Sequence, residues 1–343
     1  MDRSHAHAAA VGTRDGRGHV LLARVLPALL VLLLAAIVLA ASPRGRGGPV
    51  ATPRVYAWIC DRKADQLVAV DAELVPTAVV PVPCPLRVEA RSDGSVFAIL
   101  SHACGPTGRH DLALARADGS VGRLVAFDPV RDVDAMGDDA LVLEGSWAAS
   151  ATRLWRVDEN GAALQLAAVD GASTCASNGS DVVVGTIDGS VLLLGRGGPT
   201  SPVRARVELG DEIADVVAAG RAGWWVLTIA TAGRVVRLDA ELTPLFEVAL
   251  GGISQDLAVA ADGERVLVAT EDEPRLVVVA GDGTVVLDAP LDPSLGAIDR
   301  GDGDGRGGAL LAAAGHVVRF DGSGSARLVQ GGLDGVSDVS VVP

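Results

Sequence analysis

Short apolar segments recur at nearly constant intervals along this chain. Seven of them begin at Val55, Val96, Ala140, Val182, Trp224, Val266 and Ala309. The intervals between successive starts are 41, 44, 42, 42, 42 and 43 residues. A period of about 42 residues is typical of the four-stranded blade of a β-propeller. The pattern therefore predicts an all-β fold, a single seven-bladed β-propeller over residues 55–343.

Each repeat also has the internal pattern of four strands. In the second repeat, LRVEA from Leu86 alternates apolar and polar residues, and VFAIL from Val96 follows after Asp93-Gly94. LALAR from Leu112 leads through Asp118-Gly119 into a fourth strand. An Asp-Gly pair between apolar runs indicates a tight hairpin, because Gly adopts the positive φ that the turn requires. We therefore expect antiparallel four-stranded sheets.

The two ends of the repeat region complement each other. The first repeat starts with its second strand at Val55, and the chain ends in SDVSVV from Ser337, which has the pattern of an unaccompanied first strand. Pairing of the two would leave no free sheet edge in that blade. We predict that residues 339–342 lie beside residues 55–60 and close the ring.

The N-terminal region differs in composition from the repeats. Residues 25–41 contain no charged residue, and Arg3, Arg14, Arg17 and Arg24 precede them. This pattern predicts a cytoplasmic segment 1–24, a transmembrane helix 25–42, a Gly/Pro/Arg-rich stalk 43–54 and a propeller outside the cytoplasm. The alternative is a cleaved signal sequence and a secreted propeller. In either case only this segment would contact the membrane.

The N-terminal region and the repeat region also differ in net charge. Residues 1–54 contain seven Arg and two Asp, a net charge of +5, whereas the remainder contains 22 basic and 41 acidic residues, a net charge of −19. An acidic surface repels phosphate backbones, so the sequence argues against a nucleic-acid partner. We expect a monomer without a cofactor.

One segment resembles a known group of propellers. ADGERVLVAT from Ala261 is similar to the signature of YVTN-type and YncE-like bacterial propellers, and DRKADQLVAVD from Asp61 looks like the strand that follows it. The NHL and streptogramin-lyase-like propellers have related patterns. The resemblance implies an exported binding propeller and no specific activity.

Candidate ligand-binding residues come from the connections between second and third strands, because related propellers bind ligands on that face. These residues are Asp61, Arg62, His102, Arg109, His110, Trp147, Asp188, Glu271 and Asp272. The longest of these connections, residues 101–111, contains two of the three His residues of the repeat region. An ordinary solvated loop is the alternative interpretation.

Acidic residues also begin several first strands, at Asp132, Asp215, Asp256 and Asp338. They are expected around the central channel, where they would either hold a cation or accept backbone N–H groups of neighbouring blades.

Four Cys residues follow the apolar segment. Cys84 and Cys104 would emerge at the same end of the hairpin around Asp93-Gly94, so a disulfide between them is geometrically possible. Cys60 and Cys175 belong to separate blades and are expected as buried thiols. We find no C-x-x-C pair and no His/Cys spacing typical of zinc.

The sequence contains no G-x-S-x-G motif, and its His residues form no recognisable acid–base pattern. The leading hypothesis is therefore a non-catalytic, membrane-tethered scaffold that binds a protein, a peptide or a cell-envelope component. The alternative is an enzyme, a metal-assisted lyase or hydrolase of the streptogramin-lyase-like type.

Overall fold

The computed structural model describes residues 54–343 with several gaps. The gaps are 105–107, 147–150, 196–201, 221–222, 230–232, 253, 255, 257, 260–263, 271–273, 296–297, 305–306, 314, 322–325, 331–332 and 334. The predicted segments 1–24 and 25–42, and the stalk up to residue 53, lie outside the described residues. Within the described part of the chain, no helix has the length and apolar character needed to cross a bilayer.

The described residues form seven antiparallel four-stranded sheets, as the repeat predicts. Blade 1 consists of β28 (Val336–Val341), β1 (Ala57–Asp61), β2 (Gln66–Val70) and β3 (Pro76–Pro81). Blade 2 consists of β4 (Pro85–Ala90), β5 (Val96–Ser101), β6 (His110–Ala115) and β7 (Val121–Phe127). Blade 3 consists of β8 (Val130–Met136), β9 (Asp139–Glu144), β10 (Ala151–Val157) and β11 (Ala163–Asp170).

The other four blades repeat this order. Blade 4 consists of β12 (Ala172–Ser177), β13 (Val182–Thr186), β14 (Ser190–Leu194) and β15 (Val203–Glu208), and blade 5 of β16 (Glu212–Ala218), β17 (Trp224–Ile229), β18 (Arg234–Leu238) and β19 (Pro244–Ala249). Blade 6 consists of β20 (Ala258–Val259), β21 (Arg265–Thr270), β22 (Arg275–Ala280) and β23 (Val285–Pro290). Blade 7 consists of β24 (Ile298–Gly303), β25 (Ala309–Ala313), β26 (His316–Phe320) and β27 (Ala326–Gln330), after a short 3-10 helix (Pro293–Leu295).

The last strand closes the ring by pairing with the first one. β28 lies antiparallel to β1, with Ala57 opposite Val341 and Ile59 opposite Val339. The backbone N–H of Val342 donates to the carbonyl of Tyr56 at 2.8 Å. The predicted closure is confirmed. The ring therefore depends on backbone pairing between residues almost 300 positions apart in sequence.

Burial differs between the strands of one blade. Second strands such as β5 are buried at every position, whereas fourth strands such as β19 alternate between partly buried and exposed residues. This is expected when blades stack face to face and only the outermost strand meets solvent. Trp58, Trp224 and Trp225 are fully buried between blades.

The predicted Asp-Gly hairpins have a common geometry. Gly94 and Gly119 adopt φ of 84° and 88°, and the preceding Asp carboxylate accepts the N–H of the residue after the Gly. In the second of these turns the distance from Ser120 N to Asp118 Oδ1 is 2.8 Å. Such turns hold the strand order and leave the first strands free to line the axis.

Candidate functional site

The first strand of each blade packs against the first strand of the next blade around the ring, so these seven strands enclose the central channel. A cavity of about 210 Å³ lies between them. This volume is below the ~300 Å³ usual for drug-sized ligands, so any ligand inside is a small molecule.

A recurring β-bulge places the polar side chains at the channel. In blades 1–5 and 7, the register between first and second strands shifts by one residue at the same place. The residue directly after the shift is Asp338, Arg87, Asp132, Thr174, Asp215 or Arg300, in blade order. Bulges commonly redirect side chains next to functional sites. With Asp256 of blade 6 these residues form what we call the upper ring.

A second set of polar residues lies two positions further along the same strands. Because side chains of a strand repeat with period two, these residues are on the same face as the upper ring and about 7 Å from it. Glu89, Asp134, Asp302 and Ser340 are the polar members of this lower ring, and all four line the cavity. Sequence reasoning identified none of them.

Most carboxylates of the channel accept a backbone N–H from the next blade. In the upper ring, Val88 N donates to Asp338 Oδ2 at 2.9 Å, and Cys175 N donates to Asp132 Oδ2 at 3.0 Å. Gly301 N donates to the carboxylate of Asp256 at 2.6 Å. Three of the four first-strand Asp residues therefore accept a backbone N–H of a neighbouring blade, as one of the two expectations for them stated.

The fourth, Asp215, accepts the N–H of Val216 and lies 3.3 Å from Thr174 Oγ1. In the lower ring, Asp134 and Asp302 accept the N–H groups of Ser177 and Val341. These bonds tie each blade to its neighbour and fix the direction of each carboxylate.

Two guanidinium groups also reach into the channel. Arg87 Nη1 lies 2.8 Å from Asp132 Oδ1, which joins blades 2 and 3. Arg300 of blade 7 lies 3.7 Å from Asp256 and 3.9 Å from Asp132, so it bridges the neighbouring blade and a blade across the ring. A guanidinium has five N–H donors, so these contacts leave donors that can face a ligand.

Burial shifts the pKa of several channel carboxyls upward, because a charged carboxylate is disfavoured away from bulk water. Desolvation raises the pKa of Asp134 to about 8, that of Asp338 to about 7 and that of Asp302 to about 6. Hydrogen bonds from backbone N–H groups oppose each shift. The pKa of Asp256 is also raised well above its usual value by desolvation, followed by the charge of Asp215.

Glu89 differs from the other carboxyls of the cavity. Its side chain makes no hydrogen bond or ion pair with any described residue. Desolvation raises its pKa well above the ordinary value, and the charges of Asp134 and Asp302 add to the shift. A carboxyl that is unbonded, partly exposed to a cavity and raised in pKa has the properties of a general acid–base group.

Six of the nine residues predicted from the loops are described, and none of these six lines the central cavity. Asp61 is buried and its carboxylate accepts the N–H of Ala64, so it caps a turn and does not face solvent. His110 is fully buried, and its Nδ1 accepts the N–H of Val130. Each of these two residues begins or ends a buried strand, and a ligand-binding role for them stays a prediction.

Four other predicted residues are at least partly accessible. Arg62 donates to the carbonyl of Cys104, and His102 Nε2 lies 2.9 Å from Asp111 Oδ2. Arg109 is exposed. Asp188 is exposed and accepts hydrogen bonds from Thr186 and Ser190, which lower its pKa. Trp147, Glu271 and Asp272 lie outside the described residues.

The cysteines divide into one bonded pair and two thiols. Cys84 and Cys104 are joined by a disulfide, with Cα atoms 5.0 Å apart. Cys60 and Cys175 are buried free thiols. Burial raises the pKa of both, so neither is a thiolate nucleophile at neutral pH. Among the residues with described positions, no group of three or more His, Cys, Asp or Glu is arranged to hold a metal.

Comparisons with known proteins support the fold and correct the functional hypothesis. No family model and no curated protein matches the chain. Among solved structures, the periplasmic gluconolactonase PpgL of Pseudomonas aeruginosa aligns with a TM-score of 0.64 at 15% identity, over 84% of this chain and 99% of that one. A protein from Bacteroides uniformis assigned as a 6-phosphogluconolactonase aligns with a TM-score of 0.66 at 12% identity, over 84% and 100%.

The β-propeller domain of Cps50 (Swd1) from Myceliophteria thermophila aligns with a TM-score of 0.53 at 13% identity, over 76% of this chain and 94% of that one. This chain has the seven-bladed propeller fold. Identities this low show the fold alone, and a YVTN, YncE or NHL relationship is not shown.

The hypothesis of a non-catalytic scaffold, and the expectation that the chain is not an enzyme, are corrected by these neighbours. Two of the three structures above carry the names gluconolactonase and 6-phosphogluconolactonase.

Proposed function

We propose that this protein is a hydrolase of small cyclic esters (lactones) and that the reaction takes place in the central cavity. The observation that carries the proposal is the position of Glu89. Its unbonded carboxyl shares a cavity of about 210 Å³ with the guanidinium groups of Arg87 and Arg300. The names of the structural neighbours support lactones as the substrate class.

Glu89, Arg87 and Arg300 have separate roles in the proposed reaction. Ionised Glu89 takes a proton from a water molecule, whose oxygen adds to the carbonyl carbon of the lactone. Arg87 or Arg300 stabilises the negative charge that develops on the carbonyl oxygen. The ring C–O bond then breaks, and the ring oxygen takes the proton from Glu89. No covalent enzyme intermediate is required.

The surrounding carboxylates hold this arrangement in place. Val88, which lies between Arg87 and Glu89, donates its N–H to Asp338 of the neighbouring blade. Asp132 fixes Arg87 through the 2.8 Å ion pair. A catalytic pair mounted on a bonded strand keeps its geometry better than one mounted on a loop.

The test is a continuous pH-stat assay with glucono-1,5-lactone, corrected for spontaneous hydrolysis. Glu89→Gln is expected to lower kcat by 10²-fold or more, the range usual for loss of a general base. Glu73→Gln changes the same residue type at an exposed position and should retain the full rate. Absence of enzymatic hydrolysis by the folded protein would refute the proposal, and so would full activity of Glu89→Gln.

We also propose that the propeller is delivered outside the cytoplasm by residues 25–42, with the uncleaved anchor favoured over a cleaved signal, and that it is monomeric. The support is the uncharged segment 25–41 with four Arg residues before it. Fractionation and N-terminal sequencing of the mature protein distinguish the anchor from the cleaved form. Recovery of the propeller from the cytoplasm would contradict both.

A further inference from the structure

The lining of the central cavity contains more carboxyl groups than guanidinium groups. Its lining contains seven carboxyl groups, Glu89, Asp132, Asp134, Asp215, Asp256, Asp302 and Asp338, and two guanidinium groups, Arg87 and Arg300. Among the described residues that line it, no other is Lys or Arg. The excess of carboxyls is concentrated within a cavity of about 210 Å³, where charge is screened far less than at a surface.

Neither guanidinium is available as an uncompensated cation. Arg87 pairs with Asp132 at 2.8 Å, and Arg300 lies within 4 Å of both Asp132 and Asp256. A phosphate group that entered the cavity would share these guanidinium groups with carboxylates that already compensate their charge. It would also lose most of its hydration, and no further cation would replace it.

The carboxylates cannot easily move aside to admit an anion. The N–H groups that bond Asp134, Asp302 and Asp338 belong to backbone strands of the neighbouring blades. Rotating one of these carboxylates away would leave a buried N–H without an acceptor, which is unfavourable. The positions of these carboxyl groups are therefore fixed by the ring.

The proposed reaction changes the charge of its own ligand. Water adds to the uncharged lactone, one C–O bond forms and the ring C–O bond breaks, and the product is a hydroxy acid. That acid has a pKa near those of ordinary carboxyl groups, so it loses a proton and becomes an anion at neutral pH.

We infer that the carboxyl lining selects uncharged cyclic esters, excludes phosphorylated ones and expels the carboxylate product. This inference rests on the proposed lactone hydrolysis. Glu89 and the guanidinium groups act on the substrate, whereas Asp302 and Asp338 set its permitted charge.

Protonation of the lining gives the selection a pH dependence. Desolvation raises the pKa of Asp302 to about 6 and that of Asp338 to about 7, so lowering the pH from 8 to 5 neutralises carboxyls while both guanidinium groups stay charged. The cavity becomes less negative, and anions should enter more readily at pH 5.

The experiment compares kcat/KM for glucono-1,5-lactone and its 6-phosphate, and measures inhibition by gluconate. At pH 7.5 we expect at least a 100-fold preference for the uncharged lactone and a gluconate inhibition constant at least tenfold above KM. At pH 5.5 both ratios should fall. A kcat/KM for the phosphorylated lactone equal to or above that for the uncharged lactone would overturn the inference and leave the proposed function intact. Hydrolysis of neither lactone would overturn both.

Asp302→Asn removes one charge from the lining and keeps an oxygen that can accept the N–H of Val341. It should lower the preference for the uncharged lactone about tenfold and tighten gluconate inhibition. Asp170→Asn removes the same charge at an exposed position and should leave both ratios unchanged. Direct titration of gluconate by calorimetry, at pH 5.5 and 7.5, tests anion exclusion without turnover. Tighter binding at the higher pH would contradict the inference.

Discussion

Replacement of Asp338 by Asn should make the protein more stable at alkaline pH, which is the opposite of the usual result for a buried hydrogen-bonded carboxylate. Asp338 is 5% exposed and accepts the N–H groups of Val88 and Val339 at 2.9 and 3.0 Å. Desolvation raises its pKa from 3.8 to about 7, although Arg87 and both N–H groups favour the charged form. Burial therefore outweighs the contacts made by the carboxylate.

The size of the effect follows from proton linkage. Between pH 4 and pH 7 the folded protein holds a proton at Asp338 that the unfolded chain has lost, so stability falls as the pH rises through this range. Each pH unit corresponds to about 1.4 kcal/mol. From pH 5 to pH 8, Asp338 alone therefore lowers the free energy of unfolding by about 3 kcal/mol. Asn stays uncharged and removes this contribution.

Urea unfolding at pH 5 and pH 8, followed by the fluorescence of Trp58, Trp224 and Trp225, measures the effect. All three are fully buried and should respond to unfolding. The stability of Asp338→Asn relative to the natural protein should increase by about 3 kcal/mol between the two pH values. Asp170→Asn, at an exposed position, should show no such change. A pH-independent difference for Asp338→Asn would refute the argument.

Three further predictions concern the thiols, the disulfide and the core. Cys175 should resist alkylation by iodoacetamide in the folded protein and react after denaturation, because burial raises its pKa; rapid labelling of the native protein would contradict this. Cys104→Ser should lower the free energy of unfolding by about 3 kcal/mol, because the disulfide to Cys84 spans 20 residues, and reduction of the natural protein should give the same loss in a urea titration. Trp58→Ala should cost about 3–5 kcal/mol, because the ring is fully buried and its Nε1 donates to the carbonyl of Gly94; a loss below 1 kcal/mol would be inconsistent with that burial.

The fold could be predicted from sequence because its determinants are local and repeated. Apolar second strands, Asp-Gly turns such as Asp93-Gly94, and the incomplete first and last repeats each occupy a few neighbouring residues. The structure adds one correction of detail. The second strand of blade 1 begins at Ala57, two residues after the apolar segment that starts at Val55.

The site could be predicted only in part because its residues come from seven separate strands. Asp132, Asp215, Asp256 and Asp338 stand out as acidic residues at strand starts, and the structure places them at the channel. Arg87 and Glu89 lie in LRVEA, which has the ordinary pattern of a half-solvated strand. In a propeller the polar side of that strand faces the axis.

An alignment of the seven first strands would have shown the missing signal. RVE in blade 2, DVD in blade 3, RGD in blade 7 and DVS in blade 1 all place polar residues two positions apart. The loops attract attention because they contain His and Trp, but His110 begins β6 and is covered by its neighbours. Residue type alone does not reveal such burial.

The strand that closes the ring, β28, also completes the candidate site. β28 pairs with β1, contributes Asp338 and Ser340 to the cavity, and its Val341 N–H bonds Asp302 of blade 7. Asp338 in turn bonds the backbone between Arg87 and Glu89. A chain in which β28 is detached would therefore lose the support of its proposed general base as well as the pairing of blade 1. The site exists only in the closed ring, which explains how residues from both ends of the domain can share one small cavity.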